Sequence, residues 1–239
     1  MISVCIATYN GERFIKRQLE SILTQLGERD EVVVSDDGST DRTLQIISDI
    51  ADRRIRTVVN KGPEHSPTAN FQNAMKEAKG DYVFLSDQDD IWLPHKVETM
   101  MNILKNGDCH CVISDALMTD EHERVTNDSL YEVMHVGHGR LYNLLAYNGY
   151  TGCCMAFSRK VLDKALPFPA DIPMHDIWIG NVAAFFFNLK FISEPLILFR
   201  RHSDVASCNG KGSRFSLREK LLFRWKTLKN LIKLSIRNN

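Results

Sequence analysis

Residues 81–93 read DYVFLSDQDDIWL, an apolar run that ends abruptly in three carboxylates. The apolar letters YVFL are typical of a buried strand, and Asp87, Asp89 and Asp90 follow them. Carboxylates two residues apart on an extended chain point the same way, so Asp87 and Asp89 can converge on one positively charged ligand. Mg²⁺ and Mn²⁺ prefer such oxygen ligands, often with phosphate groups in the same shell. The stretch by itself predicts, about equally, a metal site for a diphosphate or a solvated acidic turn.

Strand signals alternate with helix signals on the N-terminal side of this stretch. Strands are predicted at 3–7, 31–35, 55–60 and 82–85, and helices at about 12–26, from Ser39 or Thr40 to about 51, and at 70–79. This alternation is typical of a parallel sheet flanked by helices, in which ligands bind beyond the carboxyl ends of the strands. Polar clusters at 8–10, 36–37 and 87–90 each follow a predicted strand. We therefore expect one shared site at this edge of the sheet.

Composition is that of an ordinary globular chain. With 239 residues, 44% hydrophobic and 25% charged, the chain is long enough for one sizeable core and is not disordered. The longest strongly apolar stretch, 182–187, is too short to span a bilayer, and the first residues, MISVCIATYN, lack the basic start of a signal peptide. We therefore expect a cytoplasmic protein. None of the six cysteines has zinc-site spacing, so we expect reduced, mostly buried thiols.

The net charge of zero hides an asymmetry between the body and the C-terminal segment. Residues 211–239 hold nine Lys and Arg and one acid, a net charge of +8, whereas the other 210 residues hold 21 bases and 29 acids. An apolar stripe at helical spacing runs through the segment: Leu217, Leu221, Trp225, Leu228 and Ile232. The pattern predicts a basic amphipathic helical tail over 211–239. Its stripe either contacts an anionic membrane through 215–237 or packs on the body. Nucleic-acid binding is disfavoured, because no second basic patch accompanies the tail.

The order of motifs resembles a known family. Six segments appear in its order: TYNGE from 8, SDDGSTD from 35, GDYVFLSDQDDIW from 80, TGCCMAFSR from 151, HDIW from 175 and FRRHSDVAS from 199. Together they resemble the inverting family-two glycosyltransferases, over roughly residues 1–207, and most of all a bacterial rhamnosyltransferase-like branch that builds surface polysaccharides. The resemblance implies an α/β GT-A fold over 1–210. It also implies transfer of a sugar from a dTDP- or UDP-linked donor, rhamnose among the candidates, to a saccharide or lipid-linked saccharide acceptor, with Mn²⁺ or Mg²⁺.

The resemblance also implies roles for individual residues. Those expected to bind the nucleotide sugar are Thr8, Tyr9, Asn10, Glu12, Asp36, Asp37, Asn70, Asp87 and Gln88, and those expected on the metal are Asp89, Asp87 and His202. Asp36 and Asp37 match a pair that accepts a hydrogen bond from a pyrimidine ring, whose N3–H is a donor. Helix capping is the alternative for this pair and for Asn70. Arg200 or Arg201 can also face phosphate, whereas Asp90 and Trp92 either face the donor or complete the turn.

Asp176 matches the position of the general base. An acid before an apolar helix is by itself more often a helix-start residue than a catalytic one, so this role rests on the resemblance. The implied reaction is a single displacement, in which Asp176 takes the proton of an acceptor hydroxyl and the anomeric configuration inverts. The metal stabilises the departing diphosphate.

Two other functions fit parts of the pattern. A nucleotidyltransferase is expected to carry a Gly-rich, basic phosphate loop after its first strand, and TYNGERF is not one. A degenerate, non-catalytic nucleotide-sugar-binding subunit is expected to have lost carboxylates at the metal or base positions, and both are present. One departure from the family pattern is Val205, where an Asn is common. The donor sugar, the acceptor and the linkage are not predicted.

Overall fold

The computed structural model of the chain describes residues 1–62, 65–136, 139–202 and 216–236. Within these ranges the strands are β1 (Ile2–Thr8), β2 (Glu31–Asp36), β3 (Ile55–Val59), β4 (Tyr82–Ser86), β5 (Ile91–Trp92), β6 (Cys111–Thr119), β7 (Val125–Asn127), β8 (Met155–Ser158) and β9 (Leu189–Arg200). The helices are α1 (Ile15–Leu23), α2 (Thr43–Asp49), α3 (Pro67–Glu77), α4 (Lys96–Lys105), α5 (Leu130–Val133), α6 (Arg140–Leu145), α7 (Arg159–Ala165), α8 (His175–Phe186) and α9 (Leu217–Ile236). A 3₁₀ turn covers Gly152–Cys154.

The described strands form one mixed sheet in the order β3-β2-β1-β4-β8-β6-β9-β5, with β7 paired to β6. The half made of β3, β2, β1 and β4 is parallel, as the alternation predicts. In the other half β8 is antiparallel to both β4 and β6, β6 is parallel to β9, and β5 is antiparallel to β9. The chain therefore leaves β4 in the parallel half and reaches β5 at the far edge through the acidic residues 87–90.

The core lies between the central strands and the helices that cover them. β1, β2 and β4 are buried along almost their whole length, which explains their continuous apolar runs. On α1 the buried residues Ile15, Leu19 and Ile22 recur every three or four positions and face the sheet. The packed strands hold the loops at their carboxyl ends in fixed positions.

Two helices begin at residues that the sequence pattern does not predict. α2 begins at Thr43, and its first amide is bound by the Asp41 carboxylate at 2.9 Å, so the prediction of a cap at Ser39 or Thr40 is wrong. α3 begins at Pro67, and the Ser66 hydroxyl accepts from its first turn. Helix capping by Asn70 is therefore excluded.

Helix α9 packs against α6 and α8 through one side only. That side buries Thr227, Asn230 and Leu231, and the Asn230 amide donates to Asp171 at 2.7 Å. Most of the apolar stripe lies elsewhere on the helix and is exposed, including Trp225 at 61%. Of the stripe, Leu228 is partly buried against the core, so packing on the body applies to that residue and not to the exposed ones. Among the described residues, no helix has both the length and the apolar character needed to cross a bilayer.

The cysteines agree with the prediction of buried thiols. Cys5, Cys109, Cys111, Cys153 and Cys154 are free and buried. Cys208, the departure at Val205 and the proposed boundary between residues 210 and 211 lie outside the described residues.

Gly180 of α8 provides a test of the packing. A Cβ atom at Gly180 would lie 2.3 Å from the ring of Tyr150, which is 1% exposed. We expect Gly180→Ala to lower the free energy of unfolding by about 1–3 kcal/mol, because the overpacking outweighs the better helix propensity of alanine. The melting temperature of the variant measures this loss of stability. Gly27→Ala is the control, since its Cβ would meet only Asp30 at 3.4 Å. Equal melting temperatures for the two variants would contradict the packing.

Candidate active site

Three elements of the parallel half converge on the carbonyl of Thr8, the last residue of β1. This oxygen accepts from the Asp37 amide at 2.9 Å and from the Asn70 side chain at 3.1 Å. Thr8 and Asn70 are buried. The end of β1, the end of β2 and helix α3 are thereby joined at one point, so the structure brings together the clusters predicted at this edge.

Gln88 joins the loop after β1 to the loop after β4. Its side-chain oxygen accepts from the Thr8 hydroxyl at 2.7 Å and from the Tyr9 amide at 3.0 Å, and its NH₂ donates to the Tyr9 carbonyl at 3.1 Å. A Cβ at Gly11 would lie 2.4 Å from the same Gln88 oxygen, so only glycine permits this approach. The structure thus assigns Gln88 to holding the two loops, and its contact with a donor stays a prediction.

Asn10 and Glu12 connect the first loop to the loop after β2. Asn10 has a positive φ of 47°, and its side-chain oxygen accepts from the Thr40 amide at 2.9 Å. The Glu12 carboxylate accepts from the backbone and the side chain of Arg42, at 3.1 and 3.2 Å. Tyr9 beside them is 56% exposed. Direct contacts of Tyr9, Asn10 and Glu12 with a nucleotide stay predictions.

Asp36 and Asp37 have different surroundings. Both oxygens of the buried Asp36 carboxylate are bound within its own turn, by the amides of Gly38 and Ser39 and by the Ser39 hydroxyl. The carboxylate of Asp37 is 10% exposed, and its Oδ1 lies 2.8 Å from the Asn60 amide nitrogen and 3.0 Å from His65 Nδ1. Asp36 therefore shapes the turn, which leaves Asp37 as the better acceptor for a ring N–H.

The pairing of β5 with β9 brings His202 to the acidic loop. Ile91 of β5 lies opposite Leu198 of β9, and His202 follows the end of β9. His202 Nε2 lies 2.9 Å from Asp89 Oδ2, and both side chains are largely buried. The ring of Phe14 packs on the imidazole, with 4.6 Å between centroids. Two residues predicted as metal ligands, 113 positions apart, are therefore in direct contact.

Arg200 and Asp90 fasten the acidic loop to β9. The Arg200 amide donates to the buried Asp90 carboxylate at 3.0 Å, and its guanidinium donates to the Asp89 carbonyl at 2.8 Å. The same guanidinium also donates to the Glu121 carbonyl and to the Glu123 carboxylate. This geometry places Arg200 in the protein interior rather than on a phosphate, and Asp90 completes the turn.

Burial raises the pKa of two carboxyl groups at the site. Burial, followed by the charges of Asp89 and Asp176, raises the pKa of Asp87 to about 7. Burial also raises the pKa of Asp176 to about 6, although its Oδ1 accepts from the Ile177 amide at 2.7 Å. The 3₁₀ turn lies between the two elements: ligand atoms of Asp87 and Cys153 are within 4.8 Å of each other, and a Cβ at Gly152 would lie 3.5 Å from the Asp176 Cβ, so the first turn of α8 lies near the acidic loop. A carboxyl whose pKa lies near neutrality is suited to accept a proton.

His175, next to Asp176, was not predicted as part of the site. It is 4% exposed and stacks on Phe71 with 4.1 Å between ring centroids. Burial lowers its pKa to about 3, so the imidazole stays neutral. A Cβ at Gly152 would lie 2.9 Å from His175 Nε2 and 3.5 Å from the Asp176 Cβ, so the 3₁₀ turn packs directly on this helix start. The motif HDIW was the only signal for His175.

Lys96 lies beneath the acidic loop and was also missed. The side chain is buried, and its Nζ donates to the Cys153 carbonyl at 3.2 Å and lies 5.1 Å from the centroid of the Trp92 ring. Burial lowers its pKa. The negative charge of Asp90 acts against this lowering of the Lys96 pKa. Lys96 is the first residue of α4 and precedes the buried Val97. The sequence gave no sign that its side chain is buried, because lysines are usually exposed.

Two sets of side chains at the site are candidates for binding a cation. Among the described residues, ligand atoms of Asp87, Asp90 and Cys153 lie within 4.8 Å of one another. This set is a poor match for Mg²⁺ or Mn²⁺, because a thiol is soft and the pKa of Cys153 is raised by its hydrogen bond with Cys154 and by burial. The contact between Asp89 and His202, beside Asp87, offers carboxylate oxygens and an imidazole nitrogen instead. The donor types of this second set fit a divalent cation.

Comparisons with known proteins agree with this architecture. The glucosyltransferase WfgD of Escherichia coli, named UDP-Glc:alpha-D-GlcNAc-diphosphoundecaprenol beta-1,3-glucosyltransferase, is 27% identical over 173 residues, 72% of this chain and 64% of that protein. The dTDP-rhamnosyl transferase RfbG of Shigella flexneri is 33% identical over 119 residues, 47% of this chain and 41% of that protein. The chain spans less than two thirds of the length of either relative.

Two solved structures share the fold. TarS 1-349 of S. aureus in complex with UDP-GlcNAc has a TM-score of 0.72 at 19% identity, over 96% of this chain and 66% of that one. Glucosyl-3-phosphoglycerate synthase of Mycobacterium tuberculosis with Mn²⁺, UDP and glucosyl-3-phosphoglycerate has a TM-score of 0.62 at 19% identity, over 98% of this chain and 79% of that one. They confirm the predicted α/β GT-A fold. Residues 3–166 match the family described as Glycosyl transferase family 2. Because this match covers more than half of the residues, the chain belongs to glycosyl transferase family 2.

Proposed function

We propose that the protein is a metal-dependent inverting glycosyltransferase that moves a sugar from a nucleoside diphosphate to a saccharide acceptor. One observation carries the proposal: Asp87, the Asp89–His202 contact and Asp176 meet where the acidic loop faces the first turn of α8. A metal ligand set beside a carboxyl of raised pKa supplies what a displacement at a sugar diphosphate needs. The acceptor oxygen must lose a proton, and the leaving diphosphate must be stabilised.

The donor is proposed to carry uracil or thymine. Asp37 is the acceptor for the ring N3–H, because the oxygens of Asp36 are engaged within its own turn. The loop that Gln88 holds against β4 is proposed to bind the rest of the nucleotide through residues 8–12. The names of the relatives support this base, since one uses UDP-Glc and another is a dTDP-rhamnosyl transferase. Glucose and rhamnose are the sugars to test first.

The acceptor is proposed to be a lipid-linked saccharide of bacterial surface polysaccharide synthesis. The name of the E. coli relative specifies an acceptor of this kind, alpha-D-GlcNAc-diphosphoundecaprenol. A lipid-linked acceptor lies at a membrane surface, whereas the nucleotide sugar is dissolved in water. We therefore place the reaction in the cytoplasm, at the inner face of the plasma membrane, with peripheral contact.

Asp89 and His202 are proposed to hold the metal, with Asp87 beside them. Mg²⁺ prefers oxygen ligands, so the imidazole of His202 favours Mn²⁺. When bound, the cation would neutralise the negative charge that develops on the departing diphosphate. The chain prepares this place by clustering the carboxylates Asp87 and Asp89, whose repulsion a cation relieves.

Asp176 is proposed to act as the general base. Its carboxylate takes the proton of the acceptor hydroxyl while that oxygen attacks the anomeric carbon and the bond to the diphosphate breaks, which inverts the configuration. The Ile177 amide holds Oδ1 at 2.7 Å and so orients the group. The neighbouring His175 does not compete for the proton, because its pKa is about 3.

Metal-dependent donor binding is the first test. We expect UDP or dTDP to raise the melting temperature in the presence of Mn²⁺, because ligand binding stabilises the folded state. Asp89→Ala is expected to weaken this binding at least tenfold, about 1.4 kcal/mol, by removing a ligand. Asp163→Ala, at an exposed position on α7, is the control. If Asp89→Ala shows the same shifts as the wild type, both with and without Mn²⁺, the metal site is contradicted, and no shift of the wild type with any nucleotide favours a non-catalytic role.

Turnover of Asp176→Asn tests the base. We expect kcat to fall about 10²- to 10⁴-fold, the usual contribution of a general base, with nucleotide affinity nearly unchanged. In the wild type, kcat/KM is expected to fall as the pH drops through about 6, since the carboxyl must be ionised. The rate at which nucleoside diphosphate is released measures both kcat of the variant and the pH dependence of kcat/KM in the wild type. Wild-type turnover in Asp176→Asn would remove this residue from the mechanism.

The stability of Asp176→Asn gives an independent check. The folded protein binds the proton of Asp176 more tightly than the unfolded chain does, because the pKa rises from 3.8 to about 6. Stability from this group is therefore lost as the pH rises above about 4, and the loss is complete above about 6. We expect Asp176→Asn to unfold at a higher temperature than the wild type at pH 7, by about 1–2 kcal/mol in stability, and to lose the advantage at pH 4. A lower melting temperature at pH 7 would show that the carboxylate is structural.

A further inference from the structure

Two neighbouring helices expose apolar side chains that no described part of the chain covers. Seven of them are at least 50% exposed: Leu141, Leu145, Leu217, Leu221, Trp225, Ile232 and Ile236. The first two lie on α6 and the other five on α9. The helices pack against each other, and the Arg224 guanidinium donates to the Ala146 carbonyl at the end of α6. We call this set the α6–α9 surface.

The exposed side of α9 is distinct from the side that holds the helix on the body. The buried contacts with the body are made by Thr227, Asn230 and Leu231, and Leu228 of the stripe is partly buried against the core. The exposed stripe residues lie on another side of the helix, because they are spaced by four or seven positions: Leu217, Leu221, Trp225 and Ile232. The helix is therefore anchored mainly by residues outside the stripe, and the exposed stripe residues are available for a partner.

Basic residues surround the stripe. Between residues 217 and 236 there are six bases, Arg218, Lys220, Arg224, Lys226, Lys229 and Lys233, and one acid, Glu219. An apolar stripe bordered by Lys and Arg, with a Trp in it, is typical of helices that lie in the interface of an anionic membrane. A second copy of the chain is a poor partner for the same surface, because two such basic helices repel each other.

We propose that the α6–α9 surface binds an anionic lipid bilayer. In this arrangement Trp225 and the leucines enter the region between head groups and acyl chains, and the bases contact lipid phosphates. α6 also packs on α8, whose first turn carries Asp176. Docking thus brings the helix that carries Asp176 near the bilayer. This role for docking rests on the proposed lipid-linked acceptor, whereas binding to the bilayer does not.

Vesicle sedimentation with the full chain tests the surface. We expect the wild type to bind vesicles of phosphatidylglycerol and phosphatidylcholine at least tenfold more tightly than vesicles of phosphatidylcholine alone, and to lose that preference in high salt. Leu221→Glu combined with Trp225→Glu is expected to reduce binding at least tenfold, because both side chains must enter the bilayer. The matched control is Leu44→Glu combined with Val125→Glu. This control adds the same two negative charges at exposed apolar positions on other elements, since Leu44 is 38% exposed and Val125 is 49% exposed.

Two further measurements separate this proposal from the function and from misfolding. Stabilisation by UDP with Mn²⁺ should be equal in the wild type and in the Leu221/Trp225 variant, which shows that the variant is folded. If the wild type binds vesicles but no nucleotide, the proposed function fails and the surface stands. Failure of the wild type to bind anionic vesicles, or equal binding by the Leu221/Trp225 variant, overturns the surface. The proposal is also overturned if light scattering shows that the wild type is a dimer and the Leu221/Trp225 variant is a monomer. The stripe would then be a self-association interface.

Discussion

Repulsion between carboxylates at one edge of the sheet is the constraint on which the site depends. Burial, followed by the nearby charges of Asp89 and Asp176, raises the pKa of Asp87 to about 7. Buried charges of one sign are costly unless opposite charges or hydrogen bonds compensate them. The chain supplies part of the compensation through the Ile177 amide on Asp176, the Arg200 amide on Asp90 and His202 beside Asp89. The remaining unfavourable charge is the physical basis of the proposed cation site.

The path of the chain explains how this crowding is maintained. Residues 87–90 leave the parallel half of the sheet and continue into β5, which pairs with β9 and contacts α1. A two-residue strand is a weak anchor by itself, so the loop needs side-chain contacts at both ends. Gln88 ties it to the loop after β1, and the contact between Asp90 and Arg200 ties it to β9. Because these contacts are made within the chain itself, they hold the carboxylates in place, which reduces the ordering that donor binding requires.

Local sequence signals were sufficient for the four strands of the parallel half and for the positions of the polar clusters, whereas β5 to β9 were not predicted. The strand at 82–85 and the acids after it follow from a buried apolar run and its abrupt end, which do not depend on distant residues. Contacts between distant residues decided what was missed. Whether Asp36 or Asp37 faces a ligand depends on how Ser39 folds back, and the burial of Lys96 depends on Cys153, 57 residues away. Similarly, the side of α9 that binds the body contains Thr227 and Asn230, whose polar character hid it from a hydrophobicity pattern.

The charge asymmetry of the chain also has a consequence for orientation at a membrane. Residues 1–210 carry 21 bases and 29 acids, whereas α9 carries six bases and one acid. An anionic bilayer attracts α9 and repels the acidic body, so the two forces together turn α9 toward the membrane within about 10 Å, the range that salt permits. Since α9 packs on α6 and α8, this rotation turns the helix that carries Asp176 with it. A net charge of zero therefore does not make the protein electrostatically neutral toward a surface. The separation of the charges gives the body a defined orientation, and net charge alone cannot provide one.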